Sequence, residues 1–94
     1  MTFIEGFEKQ FKFKAKKTNV VVHEYDKSCD MQRVKINNKY IMGGNDWDFH
    51  NGCHGMYDIP EFNNANQFIS IIKRYFTESG HNYTFESKPY KYED

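Results

Sequence analysis

The chain contains no leucine, although leucine is among the commonest residues of globular proteins. Nine Phe, seven Tyr and one Trp, together with isoleucine and valine, must therefore supply most of the buried surface. Aromatic rings pack as tilted or offset pairs, and a buried tyrosine hydroxyl needs a hydrogen-bond partner. We therefore expect a rigid core that is built from directed contacts between rings.

The chain's 94 residues are enough for one hydrophobic core and too few for two ordinary domains. We predict a single domain over residues 1–94. Hydrophobic residues make up 38% of the sequence, and even with the six glycines this share stays below the ~45% that is usual in globular domains. The core must therefore be modest in size.

The formal net charge is zero, but the charges are unevenly distributed along the chain. Residues 1–40 contain nine Lys and Arg and five Asp and Glu, a balance of +4, whereas residues 41–94 contain four and eight, a balance of −4. Such a dipolar surface can orient a partner. The chain lacks the overall positive charge that is expected of a dedicated nucleic-acid-binding protein.

The lengths of the apolar runs in the sequence indicate the compartment in which the protein works. No apolar run approaches the ~18 residues of a membrane helix, and no apolar signal-peptide segment follows Met1. We therefore expect a protein that stays in the cytoplasm and has no membrane partner. Disulfides are rare in that compartment, so Cys29 and Cys53 are expected to be reduced.

Three strands are predicted between residues 20 and 42. The β-branched run at 20–26 is the clearest strand signal. In RVKINNKYIM, apolar residues alternate with polar ones on either side of Asn37 and Asn38, and asparagine tolerates the positive φ angles of a two-residue hairpin turn. Strands at about 32–36 and 39–42 therefore follow the first one.

The N-terminal segment supports two interpretations. Thr2 and Glu5 have capping-box spacing, which favours a short helix over TFIEGF. The following FKFKA alternates with the period of a strand. We favour a strand from about Gln10 to Ala15, followed by a hairpin loop over 16–19.

After Pro60 the apolar pattern changes to helical spacing. A helix over about 61–79 is predicted, with Asn64 and Gln67 at capping-box spacing and Gly80 just beyond its C-terminal end. Its apolar stripe should cover one face of the sheet and consists of Phe68, Ile69, Ile72, Tyr75 and Phe76. The alternation in HNYTFES, residues 81–87, predicts a closing strand.

These segments together predict a fold of the α+β class. We expect an antiparallel sheet of four to five strands in meander order, with one amphipathic helix packed on one face. A short N-terminal helix is the alternative to a strand within residues 2–17.

The stretch GGNDWDFHNGCHGMYD, residues 43–58, is the leading candidate for a functional site. We expect an irregular loop of fourteen or more residues, and ordered loops of that length are often functional. Its aromatic residues and methionine are of types enriched at binding hot spots, and its acids suit a partner with a basic surface. The predicted protein-binding residues are Asp46, Trp47, Asp48, Phe49, Met56, Tyr57 and Asp58. In the alternative, Trp47 folds back into the core.

A metal site is an alternative for the same stretch. His50, Cys53 and His54 place three zinc-type ligands within five residues, and Cys29 or His23 could supply a fourth. Structural zinc sites usually show two paired clusters, and only one cluster is present. An aspartate and histidine grouping could instead hold Mg²⁺ in a small metal-dependent hydrolase. No catalytic motif accompanies it, so we expect neither a cofactor nor an enzyme.

Nucleic-acid binding is a second alternative. FKFKAKK interleaves aromatic residues with Lys12, Lys14, Lys16 and Lys17, and in a strand the first three lysines would share one face and could follow a row of phosphates. In the simpler interpretation, the phenylalanines are core residues and the lysines protect an edge strand from pairing with another chain.

We expect a non-enzymatic interaction module that binds and inhibits a protein with a basic surface, such as a nucleic-acid enzyme. Lys, Asn, Ile, Phe and Tyr dominate the composition, and their AT-rich codons indicate an AT-rich genome such as that of many phages. The resulting hypothesis is a phage or mobile-element accessory protein that inhibits a host nuclease or defence complex in the host cytoplasm. A homodimer is a further hypothesis, since Phe-rich strands can pair across a two-fold axis.

Overall fold

The computed structural model of the protein describes residues 2–53 and 57–91. Within these residues, four strands form one sheet in the order β3-β2-β1-β4, and three helices accompany it. The predicted α+β class is therefore confirmed. In chain order the elements are α1 (Phe3–Phe11), β1 (Val20–Asp26), β2 (Met31–Ile36), β3 (Lys39–Gly44), α2 (Asp46–Gly52), α3 (Ala65–Ser79) and β4 (Thr84–Pro89).

The sheet is mixed, so the prediction of a purely antiparallel sheet is wrong. β1, β2 and β3 form the predicted antiparallel meander, whereas β4 pairs parallel to β1, with Thr84 opposite Val20. The direction of β4 follows from the length of α3, because fifteen helical residues span about 22 Å. This distance returns the chain to the end of the sheet at which β1 begins.

The hairpin between β2 and β3 forms as the sequence predicts. Asn37 and Asn38 both have positive φ angles, of 53° and 66°, which is the conformation of a two-residue turn whose twist matches that of the strands. The register shifts beyond the turn, since Lys35 pairs with Tyr40 and Val34 with Met42. This irregularity leaves one extra residue in β3.

The N-terminal segment is a helix, so the strand predicted from Gln10 to Ala15 is wrong. The Thr2 hydroxyl accepts a hydrogen bond from the backbone N–H of Glu5, and the Glu5 side chain accepts one from the Thr2 backbone, which completes the capping box. α1 ends at Lys12, which adopts the left-handed conformation. Its buried phenylalanines recur every four residues, and this helical spacing outweighs the short alternation of FKFKA.

α3 begins at Ala65, later than the predicted start near residue 61. The Asn64 side chain accepts a hydrogen bond from the Gln67 backbone N–H, while Gly80 ends the helix in the left-handed conformation. The Gln67 side chain instead accepts from the backbone N–H of Asn63, at 2.8 Å. No helix among the described residues is long and apolar enough to cross a membrane.

The core lies on one face of the sheet and is largely aromatic. The rings of Phe7 and Tyr75 stack with their centroids 4.3 Å apart and an interplanar angle of 17°. Phe68 is the meeting point of the helices, and its ring contacts those of Phe11, Phe49 and Phe62 at centroid distances of 5.4, 5.9 and 4.9 Å. The sheet contributes buried Val21, Val34 and Ile36. The residues that alternate with these point to the opposite face of the sheet.

The buried hydroxyl of Tyr75 joins three parts of the chain. It donates a hydrogen bond to the Glu8 carboxylate on α1 (2.6 Å) and accepts one from the backbone N–H of Ala15 (3.2 Å). Burial raises the pKa of the Tyr75 phenol above its ordinary value, and the bond to Glu8 raises it further. The neutral hydroxyl therefore ties α1 and the segment after it to α3.

Replacing Tyr75 by Phe keeps the stacked ring and removes only this hydroxyl. We expect Tyr75→Phe to lower the free energy of unfolding by about 1–2 kcal/mol, because the part-buried Ala15 N–H loses its acceptor and the Glu8 carboxylate loses a donor. Urea denaturation measures the change. Tyr40→Phe removes the same atom from an exposed ring and should shift the midpoint by far less; equal shifts in the two variants would contradict this role of Tyr75.

Candidate functional site

The stretch after β3 contains a helix, so the prediction of an irregular loop is wrong for residues 46–52. The Asn45 side chain accepts a hydrogen bond from the Asp48 backbone N–H (2.9 Å), and the Asp48 carboxylate accepts one from the Asn45 N–H (3.0 Å). Gly44 has a φ angle of 127°, which residues with a Cβ rarely adopt, and it turns the chain from β3 into α2. This second capping box was visible in the sequence and was missed.

α2 places its two large aromatic side chains on opposite sides. Two positions along a helix are separated by about 200°, so Trp47 and Phe49 point in opposite directions. Phe49 is fully buried, whereas Trp47 is 67% exposed. Phe49 is therefore a core residue, so its predicted place on a protein-binding surface is wrong. Trp47 lies outside the core, which excludes the alternative in which it folds back over the sheet.

A polar groove of about 480 Å³ opens beside α2, on the face of the sheet that lacks the aromatic core. Asp48 lines the groove together with Arg33, Tyr40 and Tyr90. The three residues from the sheet and the C-terminal segment were missed by the sequence analysis. The available signal was weak: Arg33 alternates with buried Val34, and so points away from the core.

A buried carboxylate, that of Glu24, holds the Arg33 side chain that lines this groove. Glu24 accepts a hydrogen bond from the Arg33 guanidinium at 2.7 Å and lies 3.3 Å from the Lys35 ammonium. The bond from Arg33 holds the pKa of the Glu24 carboxyl below its usual value, despite its burial. The guanidinium also lies 4.2 Å from the centroid of the Tyr90 ring. Arg33 is therefore held in place on two sides.

The two tyrosines of the groove are hydrogen-bonding groups at neutral pH. Tyr40 is exposed overall, but partial desolvation of its phenol raises the pKa, and the nearby Asp48 carboxylate raises it further. Burial likewise raises the pKa of the Tyr90 phenol. Both hydroxyls therefore keep their protons and can donate to a ligand in the groove.

The remaining predicted protein-binding residues lie elsewhere or outside the described residues. Tyr57 is 42% exposed and carries the Lys9 ammonium 4.7 Å from its ring centroid, so it lies against α1. Asp58 follows it in the left-handed conformation and is exposed. Met56 is not among the described residues. The structure thus groups Asp46, Trp47 and Asp48 on α2 and attaches Tyr57 to α1.

The predicted zinc ligands have separate environments. Cys53 is buried and donates a hydrogen bond to the backbone carbonyl of His50, whereas Cys29 is exposed in the turn after β1. His23 uses both ring nitrogens, bonding to Ser87 at 2.9 Å and Gln32 at 2.7 Å. Within residues 2–53 and 57–91, no three His, Cys, Asp or Glu side chains form a group that could hold a metal ion. His54 lies outside these ranges, so the zinc hypothesis stays a prediction.

The lysines of the predicted nucleic-acid site lie at the other end of the sheet. Lys12, Lys14, Lys16 and Lys17 are all exposed, while Phe13 between them is buried. Phe13 thus belongs to the core, although the segment that carries it is not a strand. The alternation of exposed lysine and buried phenylalanine follows from tertiary packing here.

Comparisons with protein-family models, with curated proteins and with solved structures find no significant match. A fold alone does not specify a function, because functions reside in sites. The function of this chain is therefore inferred from the exposed side chains of α2, the groove beside them and the lysines at the opposite end.

The Glu24 network makes a prediction about pH. The pKa of Glu24 is lower in the folded than in the unfolded chain, so the ionised carboxylate stabilises the fold at pH values above the ordinary pKa of 4.5. This stabilisation is lost as the pH falls through the pKa of the folded chain. We expect Glu24→Gln to lower the free energy of unfolding by about 1 kcal/mol at pH 7. The difference from wild type should disappear in acid.

Urea denaturation at a series of pH values measures this difference. Glu86→Gln is the matched control, since Glu86 lies on the neighbouring strand β4, opposite Val22, and is exposed. It should change stability little at any pH. A Glu24→Gln effect that is independent of pH would contradict the stabilising role of the ionised carboxylate.

Proposed function

We propose that the chain is a non-enzymatic protein-binding module whose main anchor is Trp47. The observation that carries this proposal is the 67% exposure of the only tryptophan in a chain that buries most of its phenylalanines. When a partner covers an indole that is exposed to water, the free energy of the system falls, so the contact favours binding. Tryptophan is also among the residues that most often dominate binding energies at interfaces.

The surface that we assign to the partner extends from Trp47 into the groove, and we call it the Trp47 surface. Its two carboxylates, Asp46 and Asp48, can meet arginine or lysine side chains of the partner. The groove of about 480 Å³ is also lined by Arg33 and Lys91, so its tyrosine hydroxyls are the groups that would bond to polar atoms of the partner there. The Trp47 surface consists of Asp46, Trp47, Asp48, Tyr40, Arg33 and Tyr90. Compared with the sequence prediction, it keeps Asp46, Trp47 and Asp48 and adds three residues from the sheet and the C-terminal segment. It omits Phe49, Tyr57 and Asp58, and Met56, which lies outside the described residues.

The most suitable partner is a protein with a basic surface. Asp46 and Asp48 lie in the first turn of α2, and their carboxylates would occupy positions that phosphates take on a nucleic-acid-binding protein. Occupation of such a surface would block the partner sterically and electrostatically. This mechanism agrees with our hypothesis of an accessory protein, from a phage or mobile element, that inhibits a host nuclease or defence complex.

Trp47→Ala tests the proposal. Removing the anchor should weaken binding by about 2 kcal/mol or more, roughly a 30-fold rise in Kd. Because Trp47 is exposed, the urea midpoint should stay near that of wild type. Immobilised variants would first capture proteins from nuclease-treated bacterial lysates. Calorimetry with the purified partner would then give the Kd.

Val20→Ala is the matched control, because Val20 is also exposed and lies at the opposite end of the sheet. It should retain the partner as wild type does. If Trp47→Ala retains the same proteins with the same affinity, Trp47 is not the anchor. If Trp47→Ala unfolds the protein, the residue is structural and the proposal loses its basis.

A further inference from the structure

A second groove brings Lys39 close to three lysines of the segment after α1. It has a volume of about 200 Å³ and lies where the segment after α1 meets the hairpin between β2 and β3. Lys12, Lys14 and Lys16 line it from one side and Lys39 from the other. We call these four residues the lysine groove.

The backbone beneath the lysine groove is fixed by Asn19. This side chain is only 2% exposed and accepts hydrogen bonds from the Lys16 N–H (2.9 Å) and the Asn37 side chain (3.1 Å). It also donates to the carbonyls of Lys16 and Asn82, at 2.9 and 2.8 Å. Asn19 thus joins the lysine-bearing segment to the hairpin and to the residues before β4.

Three of the four ammonium groups are available to a ligand. Lys39 donates to the backbone carbonyls of Phe11 and Lys12, and so closes the C-terminal end of α1. Among the described residues, no carboxylate forms a salt bridge with Lys12, Lys14 or Lys16. Within the part of the chain that the structure describes, no Asp or Glu lines the groove. An anion bound there would relieve the repulsion between like charges.

We propose that the lysine groove binds the phosphodiester backbone of a nucleic acid. A cluster of cations suits neighbouring phosphates, and Thr18, Asn37 and Asn38 in the adjoining depression offer hydroxyl and amide donors for phosphate oxygens. The aromatic residue of the groove, Phe13, is buried and cannot stack on bases. Recognition is therefore independent of sequence.

The acidic helix does not oppose this binding. β3 runs from the lysine groove at Lys39 to Gly44 beside α2, a length of about 17 Å. Charges are screened over about 8 Å at physiological ionic strength. The charges of the Trp47 surface therefore have little effect on a ligand in the lysine groove. The proposal that the lysine groove binds nucleic acid does not depend on the function proposed for Trp47.

The test is a titration of a short, fluorescein-labelled, mixed-sequence single-stranded oligonucleotide, followed by fluorescence anisotropy at several salt concentrations. The variant is Lys14→Gln/Lys16→Gln, which leaves the left-handed Lys12 in place. The control is Lys27→Gln/Lys88→Gln, which removes the same charge from exposed positions elsewhere. Losing two phosphate contacts should lower the slope of log K against log salt by about 1.4. The control should keep the wild-type slope.

Several outcomes would overturn the proposal. The first is that wild type does not bind the oligonucleotide at about 50 mM salt. The second is that the two double variants lose equal affinity for the oligonucleotide. The third is that polyglutamate competes as well as unlabelled oligonucleotide and that its binding depends on the same lysines. Trp47→Ala should bind the oligonucleotide like wild type. A loss in that variant would contradict two separate surfaces, whereas failure of the lysine variant alone leaves the Trp47 proposal standing.

Discussion

The arrangement of this fold depends on the buried ring and hydroxyl of Tyr75. Without leucine, the chain brings its helices together through rings, and Tyr75 stacks on Phe7 while its hydroxyl bonds to Glu8 and to the Ala15 N–H. These contacts hold α1, α3 and the segment after α1 as one layer. Because the layer packs its aromatic core on one side of the sheet, the other side is free for polar side chains.

The surfaces with functional potential follow from this one-sided core. β3 runs between them, with the lysine groove near Lys39 and α2 with Trp47 after Gly44. The charge asymmetry of the sequence thus becomes a spatial one, with exposed lysines at one end of the sheet and the acids of α2 at the other. A dipolar protein of this kind can approach oppositely charged partners in two different orientations.

Short sequence patterns correctly predicted those parts of the fold that depend on neighbouring residues alone. The Asn37-Asn38 turn and the helical stripe of α3 are such parts, since turn chemistry and apolar period suffice for them. The parallel pairing of β4 depends on the path of the whole chain, so it was not predicted. Trp47 was identified by its residue type, but its exposure depends on the direction of α2. The groove beside it unites Arg33, Tyr40 and Tyr90, whose proximity no local pattern reveals.

Acrylamide quenching of Trp47 fluorescence in the free, folded protein tests most directly whether the only tryptophan lies outside the core. Because the chain has a single tryptophan, the signal comes from one side chain. We predict emission at the long wavelengths of a hydrated indole and quenching almost as efficient as in the urea-unfolded chain. Blue-shifted emission that is protected from acrylamide in the folded protein would place Trp47 inside and contradict the assignment of the Trp47 surface.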